Sequence, residues 1–171
     1  MIRAARVRRR QAGQAMRVML LGGGKIGGAI ADLLQATGDF QITVADKDQA
    51  ALARVRTKGV AQKTMDVGDE ATLVKALKGQ DAVVSALPYY LNSAVARAAR
   101  KAKAHYFDLT EDVATSKEIR KISAGAESAF VPHCGLAPGT IQILAYDLAK
   151  GFERLREVHM RVGALPQFPT N

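Results

Sequence analysis

The sequence predicts an α/β domain built on a doubly wound parallel sheet, on three observations. Strand-like and helix-like runs alternate along almost the whole chain, as successive βα units do. The run Asp81-Ala82-Val83-Val84-Ser85-Ala86 has a near-continuous apolar centre, as a strand covered on both faces should. The first strand-like run, ending at Leu20-Leu21, passes directly into the turn Gly22-Gly23-Gly24 and then into an amphipathic helix.

Taken in order, the first strand covers about residues 17–21 and the first helix about 25–37. Ile26, Ala29, Ile30, Leu33 and Leu34 share one face of that helix at helical spacing, and Gly38-Asp39 ends it. A second strand is expected at 41–46 and a helix at 48–57. A short third strand at 61–65 leads through Asp66-Val67-Gly68-Asp69 into a helix ending near Leu77. The fourth strand, 81–86, is broken by Leu87-Pro88, and an alanine-rich helix follows at about 90–103. A fifth strand at 104–109, a helix at 113–123 and a sixth strand at 129–132 continue the alternation. Gly135-Leu136-Ala137-Pro138-Gly139 then opens a helix at 140–150, with Pro138 near its start. The alternating run Leu155–Val162 predicts one further strand, and residues 164–171 carry two prolines without periodicity.

A chain of 171 residues is long enough for one domain with its own core, and 48% apolar residues is ordinary for a globular protein. No apolar run is long enough to cross a bilayer, which predicts a soluble, cytoplasmic protein with no membrane partner. The single cysteine, Cys134, excludes an intrachain disulfide and suits a reducing compartment. No His/Cys cluster has metal-ligand spacing, so no metal is expected. The net charge of +9 is partly a property of the first fifteen residues, where Arg3, Arg6, Arg8, Arg9 and Arg10 stand without an acid. Without those five, 20 basic residues face 16 acidic ones, a modest +4. Residues 1–15 read as a disordered basic tail: a nucleic-acid arm, a transit peptide or sequence upstream of a start at Met16. The first strand begins directly after Met16, which favours the last of these. The basic residues Arg97, Arg100, Lys101 and Lys103 form a solvated helix end, without the interleaved aromatics of a nucleic-acid surface.

The chemistry is concentrated in the glycine turn. Gly22, Gly24 and Gly27 make G-x-G-x-x-G, in which the first glycine turns out of the strand and the second lets a pyrophosphate approach the backbone. The third lets the helix pack closely on the strand. The helix opening at Lys25 and Ile26 points its free N–H groups and positive dipole end at the phosphates. The second strand ends in Asp46, 19 residues after Gly27, about where a carboxylate accepts hydrogen bonds from the adenosine ribose. These features predict a Rossmann-type dinucleotide site. Asp46 favours NAD, because a carboxylate repels the 2′-phosphate of NADP, although Lys47 beside it offsets part of that repulsion. Ligands of such sheets lie outside the carboxyl ends of the strands. The crevice should therefore gather the glycine turn, Asp46, Asp66, Ala86–Tyr89, Asp108–Glu111 and His133–Pro138.

Three motifs in order, Asp81-Ala82-Val83-Val84-Ser85-Ala86-Leu87-Pro88, His105-Tyr106-Phe107-Asp108-Leu109-Thr110-Glu111 and Cys134-Gly135-Leu136-Ala137-Pro138-Gly139, resemble the saccharopine dehydrogenase family, in particular its lysine 6-dehydrogenase-like members. The resemblance covers about residues 16–171. It implies an NAD(P)-linked oxidoreductase that moves hydride at an amine or imine carbon of a small amino-acid substrate. By the same resemblance, Ala86, Leu87 and Pro88 lie along the nicotinamide half of the cofactor, and Asp66 and Val67 near the adenine. Asp108, Thr110 and Glu111 would lie near the reacting end. Family members are about twice this length, with a mostly β substrate domain after the nucleotide domain. The expected division is therefore a nucleotide domain at 16–152 and the start of an incomplete second domain at 153–171.

Asp108 and Glu111 are the candidate catalytic groups, as general acid/base or as ligands of a substrate ammonium. The alternative is a polar loop in which Asp108 or Thr110 caps the next helix. His133 stands beside the expected nicotinamide position and reads chiefly as a loop histidine; His105 and His159 read as structural. Cys134 reads as a residue lining its loop rather than a nucleophile. Tyr89 and Tyr90 either meet the nicotinamide end or mark a covered surface, and apolar exposure near Tyr89, Tyr90 and Leu165 favours a homodimer. The rival function is a non-catalytic NAD(H)-sensing domain like those of potassium-transport systems, which share the first half of the pattern.

Overall fold

In a computed structural model describing residues 14–163, β1 (Met16–Leu21) runs up the middle of a six-stranded sheet. It is followed by α1 (Lys25–Thr37), β2 (Phe40–Asp46), α2 (Gln49–Arg54) and β3 (Ala61–Thr64). Then come α3 (Glu70–Leu77), β4 (Ala82–Ser85), a 3-10 turn (Tyr89–Leu91) and α4 (Asn92–Ala102). The last described elements are β5 (His105–Asp108), α5 (Val113–Ser123), β6 (Phe130–Val131) and α6 (Thr140–Ala149). The strand order is β3-β2-β1-β4-β5-β6 and every neighbouring pair is parallel. The order reverses at β1, whose carboxyl end is flanked by those of β2 and β4, and this is where a doubly wound sheet opens its crevice.

Successive residues of a strand point to opposite faces, so β1 feeds two cores. Leu20 joins Ile42, Val44, Ala31, Leu52 and Val55 under α1 and α2. Met19 and Leu21 join Val83 and Tyr106 under α3, α4 and α5, with Leu73, Leu77, Val95, Ala99 and Ile119. Leu20, Leu21, Leu73 and Leu77 are fully buried. Each such side chain contributes roughly 1.5–3 kcal/mol relative to leaving it exposed.

The face of α1 differs from the one expected. Gly27 and Ala31 are buried and Ile30 and Leu34 pack on the core, whereas Ile26, Ala29 and Leu33 stand in solvent. The cause is a backbone contact. A Cβ on Gly27 would lie 1.8 Å from the Gly22 carbonyl oxygen, so the helix is seated on its glycine and turned away from the stripe that hydropathy alone selects.

The run 155–162 forms no strand: the chain bends at Arg156, and no described strand pairs with it. α6 buries none of its residues. The tail expected at residues 1–15 falls mostly outside the described residues, as does Leu165. Among the described residues no helix is long and apolar enough to cross a membrane.

Two glycines in the same turn of α1 separate packing from propensity. Gly27→Ala should destabilise the domain by about 1–3 kcal/mol through overpacking. A Cβ on Gly28 meets nothing within 4 Å, so Gly28→Ala should be neutral or stabilising by about 0.5–1 kcal/mol. Urea denaturation reads both, and equal effects from the two would refute the packing account.

Candidate dinucleotide site

The glycine turn is held from three sides. Gly22 has a φ of 104°, a conformation open to glycine at no steric cost. Its N–H donates to the Ala45 carbonyl and the Ala86 N–H donates to the Leu21 carbonyl, each at 2.8 Å. A Cβ on Gly22 would come within 2.8 Å of the Ala86 oxygen. The turn therefore fits against the loop after β4 as well as against α1. Gly24 is different in kind: nothing lies within 4 Å of where its Cβ would be, so the turn is open on that side.

Asp46 does more than its position at the end of β2 suggested. One carboxylate oxygen accepts the Gly23 N–H at 2.7 Å and the other accepts the Asp48 N–H at 2.9 Å. The carboxylate thus ties the glycine turn to the start of α2, and its oxygens keep further lone pairs for an outside donor. Lys47 is exposed and makes no ion pair among the described residues.

Side-chain caps close the starts of α2, α3 and α5 but not those of α1, α4 and α6. The side chains of Asp48, Asp69 and Asp112 accept backbone N–H bonds at the starts of α2, α3 and α5. Asp112 is the cap of α5, not Asp108 or Thr110 as considered from sequence. α1 has Gly24 at that position and no side-chain cap. Its first N–H groups, those of Lys25 and Ile26 among them, are left without side-chain acceptors beside the open flank of Gly24. An anion at a helix N-terminus supplies the missing acceptors and meets the favourable end of the dipole.

The remaining expected residues divide by burial. The exposed Asp66 accepts the Gly68 N–H at 2.8 Å and shapes the loop after β3. The Val67 side chain is buried in the core, which leaves its backbone as the part that can face the crevice. Ala86 and Leu87 are half-buried, while Pro88, Tyr89 and Tyr90 are exposed at the rim, with the two tyrosine rings edge to face at 5.9 Å. Glu111 is exposed, whereas Asp108 is completely buried.

Asp108 lies at the centre of a polar cluster that the sequence reading did not anticipate. Its carboxylate accepts the Tyr106 hydroxyl at 2.5 Å, the Thr110 N–H at 2.9 Å and the His133 N–H at 3.3 Å. Its carbonyl accepts the Cys134 N–H at 2.8 Å. Beside it, the Ser85 hydroxyl donates to the buried Asn92 side chain at 2.7 Å. The available signal was the period of β5, which sends Tyr106 and Asp108 to the same face. His133 adopts a φ of 68° and its Nε2 lies 2.6 Å from the Ser116 hydroxyl, which itself donates to the Asp112 carbonyl. In that arrangement the imidazole is the donor at Nε2. Burial, then the hydrogen bond to Asp108, pushes the Tyr106 hydroxyl far above its ordinary pKa. Desolvation and the Asp108 charge likewise raise the Cys134 thiol, the opposite of what a nucleophile needs.

The model of the saccharopine dehydrogenase NADP binding domain family matches residues 18–131. The chain is 28% identical over 152 residues to saccharopine dehydrogenase (NADP+, L-glutamate-forming) of Saccharomyces cerevisiae, covering 88% of this chain and 33% of the yeast protein. It is 26% identical over 133 residues to mitochondrial alpha-aminoadipic semialdehyde synthase of Mus musculus, covering 77% of this chain and 14% of the mouse protein. The chain thus spans a third or less of the length of these curated relatives. In structure it is similar to apo saccharopine dehydrogenase (L-Glu forming) from Saccharomyces cerevisiae, with a TM-score of 0.70 and 27% identity over 80% of this chain and 30% of that one.

Two measurements test this account of the site. Tyr106→Phe removes one donor from a fully buried carboxylate and should cost about 1–3 kcal/mol, read from the urea midpoint; an unchanged midpoint would show that the hydroxyl contributes nothing. The caps respond to pH. Thr72, by side chain and then backbone, holds the Asp69 carboxyl below its ordinary value of 3.8, and Thr115 does the same for Asp112. A depressed folded-state pKa gives stabilisation that is complete above the unfolded value and fades as pH falls through the folded one. The thermal midpoint should therefore drop in acid, below 3.8, and less steeply in the Asp69→Asn, Asp112→Asn double variant. Parallel curves would count against it.

Proposed function

The chain belongs to the saccharopine dehydrogenase family through its NADP-binding domain, and on that footing we propose that it binds NAD(H) for hydride transfer at an amine or imine carbon of an amino acid. The observation that carries the reading is the uncapped start of α1 beside the open flank of Gly24, in a chain that caps α2, α3 and α5 with aspartates. A nicotinamide dinucleotide, when bound, supplies the hydride chemistry; the protein supplies grip, orientation and charge.

The backbone from Gly22 to Gly27, with the N–H groups of Lys25 and Ile26, holds the pyrophosphate. Asp46 accepts the adenosine ribose hydroxyls, and Asp66 with the Val67 backbone borders the adenine. Ala86, Leu87 and Pro88 line the nicotinamide half. Asp108 works from below: buried and accepting three hydrogen bonds, it positions Thr110 and the start of the 133–139 loop. Glu111, exposed at the same strand end, is the group free to bind a substrate ammonium or exchange a proton. The substrate class is a basic amino acid or a secondary amine of the saccharopine type. No observation at the site favours the alternative, a non-catalytic NAD(H) sensor.

Preference for NAD follows from how Asp46 is held. Two N–H donors fix its carboxylate at the end of β2, so a 2′-phosphate would meet a charge that cannot swing aside. Lys47, exposed beside it, offsets only part of that repulsion. Calorimetric titration should give NADH a Kd at least roughly tenfold below that of NADPH, about 1.4 kcal/mol. Asp46→Ala should weaken NADH and narrow the gap. Equal or tighter binding of NADPH would overturn the assignment, and no binding of either by a folded chain would overturn the site.

A further inference from the structure

The buried faces of β4 and β5 both finish on a polar residue. With a period of two, Ser85 follows Val83 on one face of β4, as Asp108 follows Tyr106 on β5. The register sets Ser85 beside Asp108. Both are buried just below the points where the chain leaves the sheet for the crevice loops. Asn92, the first residue of α4, is buried as well. The Ser85 hydroxyl donates to its side-chain oxygen at 2.7 Å, so a bond between side chains joins the two ends of the loop 86–91. Within that loop the Leu91 N–H donates to the Pro88 carbonyl and the Asn92 N–H to the Tyr89 carbonyl. Leu87 and Leu91 pack on the core, which leaves Pro88, Tyr89 and Tyr90 facing out. The Tyr106 hydroxyl, bonded to Asp108, lies 3.4 Å from the Asn92 carbonyl. The footings of the loops after β4 and β5 therefore touch.

We propose that Ser85 and Asn92 are positioning residues for the nicotinamide half of the cofactor, their buried bond holding the loop 86–91 in place before a ligand arrives. The inference rests on the reading that this loop lines the nicotinamide half. Neither side chain needs to reach the ligand. A buried amide is costly without a partner, and here the partner lies across the loop, so the bond forms only when both ends are seated. A loop with few buried contacts opens locally, and a ligand that must order it binds more weakly. The other half of the cofactor has a separate hold, in the glycine turn and Asp46. Ala86 stays tied to the Leu21 carbonyl by its own N–H whether or not the side-chain bond is present. Loss of the bond should therefore be felt at the nicotinamide end and spare the pyrophosphate end.

The full chain is titrated calorimetrically with NADH and with ADP-ribose, which lacks the nicotinamide. The wild type should bind NADH the more tightly. Ser85→Ala and Asn92→Ala should each raise the Kd for NADH by roughly tenfold. ADP-ribose should bind both variants as it binds the wild type, which also shows that they are folded. The double variant should lose no more NADH affinity than the worse single one, because the two residues share one bond. ADP-ribose weakened as much as NADH, additive losses in the double variant, or a wild type that binds both ligands equally would each overturn the proposal. A folded wild type that binds neither would overturn the dinucleotide site and this inference with it. Hydrogen exchange needs no substitution: the Leu91 and Asn92 amides should be as protected without NADH as with it. Protection that appears only with NADH would show a loop the ligand orders, and would also overturn the proposal.

Discussion

The contact between the Gly22 carbonyl and Gly27 governs much of what surrounds the crevice. With no room for a Cβ, α1 sits directly on the turn that leaves β1. That seating faces Ile30, Ala31 and Leu34 inward and sends the first turn of the helix to the carboxyl ends of the strands. The Asp46 carboxylate fastens Gly23 from the β2 side, and Ala86 closes against Gly22 from the β4 side. A turn clamped at these points keeps its N–H groups oriented without a ligand present. Binding then need not bear the cost of ordering them.

Much of the surface charge is answered locally. The basic end of α4 is answered: Arg97 meets Glu118, Lys101 meets Glu70, Lys103 meets Glu127, and Arg100 donates to the Ile122 carbonyl. Exposed pairs of this kind contribute little to stability, but they show that the cations are spent within the protein's own surface. The aspartate caps do the same for helix ends. The starts of α1, α4 and α6 have no side-chain cap, and at α1 the partial positive charge faces the space that the open side of Gly24 leaves.

Much of this was legible in the sequence where one residue type has one physical use. α1 begins after the glycine turn and ends where Gly38 takes the left-handed conformation, and both ends were read correctly. α5 also matched, although its cap is Asp112. The apolar stripe of α1 was misread because periodicity measures hydropathy, whereas the rotation of this helix is decided by a backbone contact. The burial of Asp108 was not legible because it depends on donors from three places: Tyr106 in its own strand, Thr110 beyond it and His133 after β6. The run 155–162 shows the converse: alternation of residue types alone does not make a strand where no described strand pairs with it.

The strand order also bears on how the chain assembles. β1, β2 and β3 are parallel neighbours joined by short crossovers, so that half of the sheet, with α1 and α2, grows outward from local contacts. β4 must return from the far edge, through α3, to reach the other side of β1. Closing that long loop precedes any reward from the β1–β4 ladder, and loop closure of this kind slows folding. Until Ala82–Ser85 dock, the central strand offers a bare edge on its β4 side, with Met19 and Leu21 still short of the core they later share with Val83. An unpaired edge of that composition templates association with other chains. A nascent chain is thus most vulnerable between the synthesis of β3 and the arrival of β4.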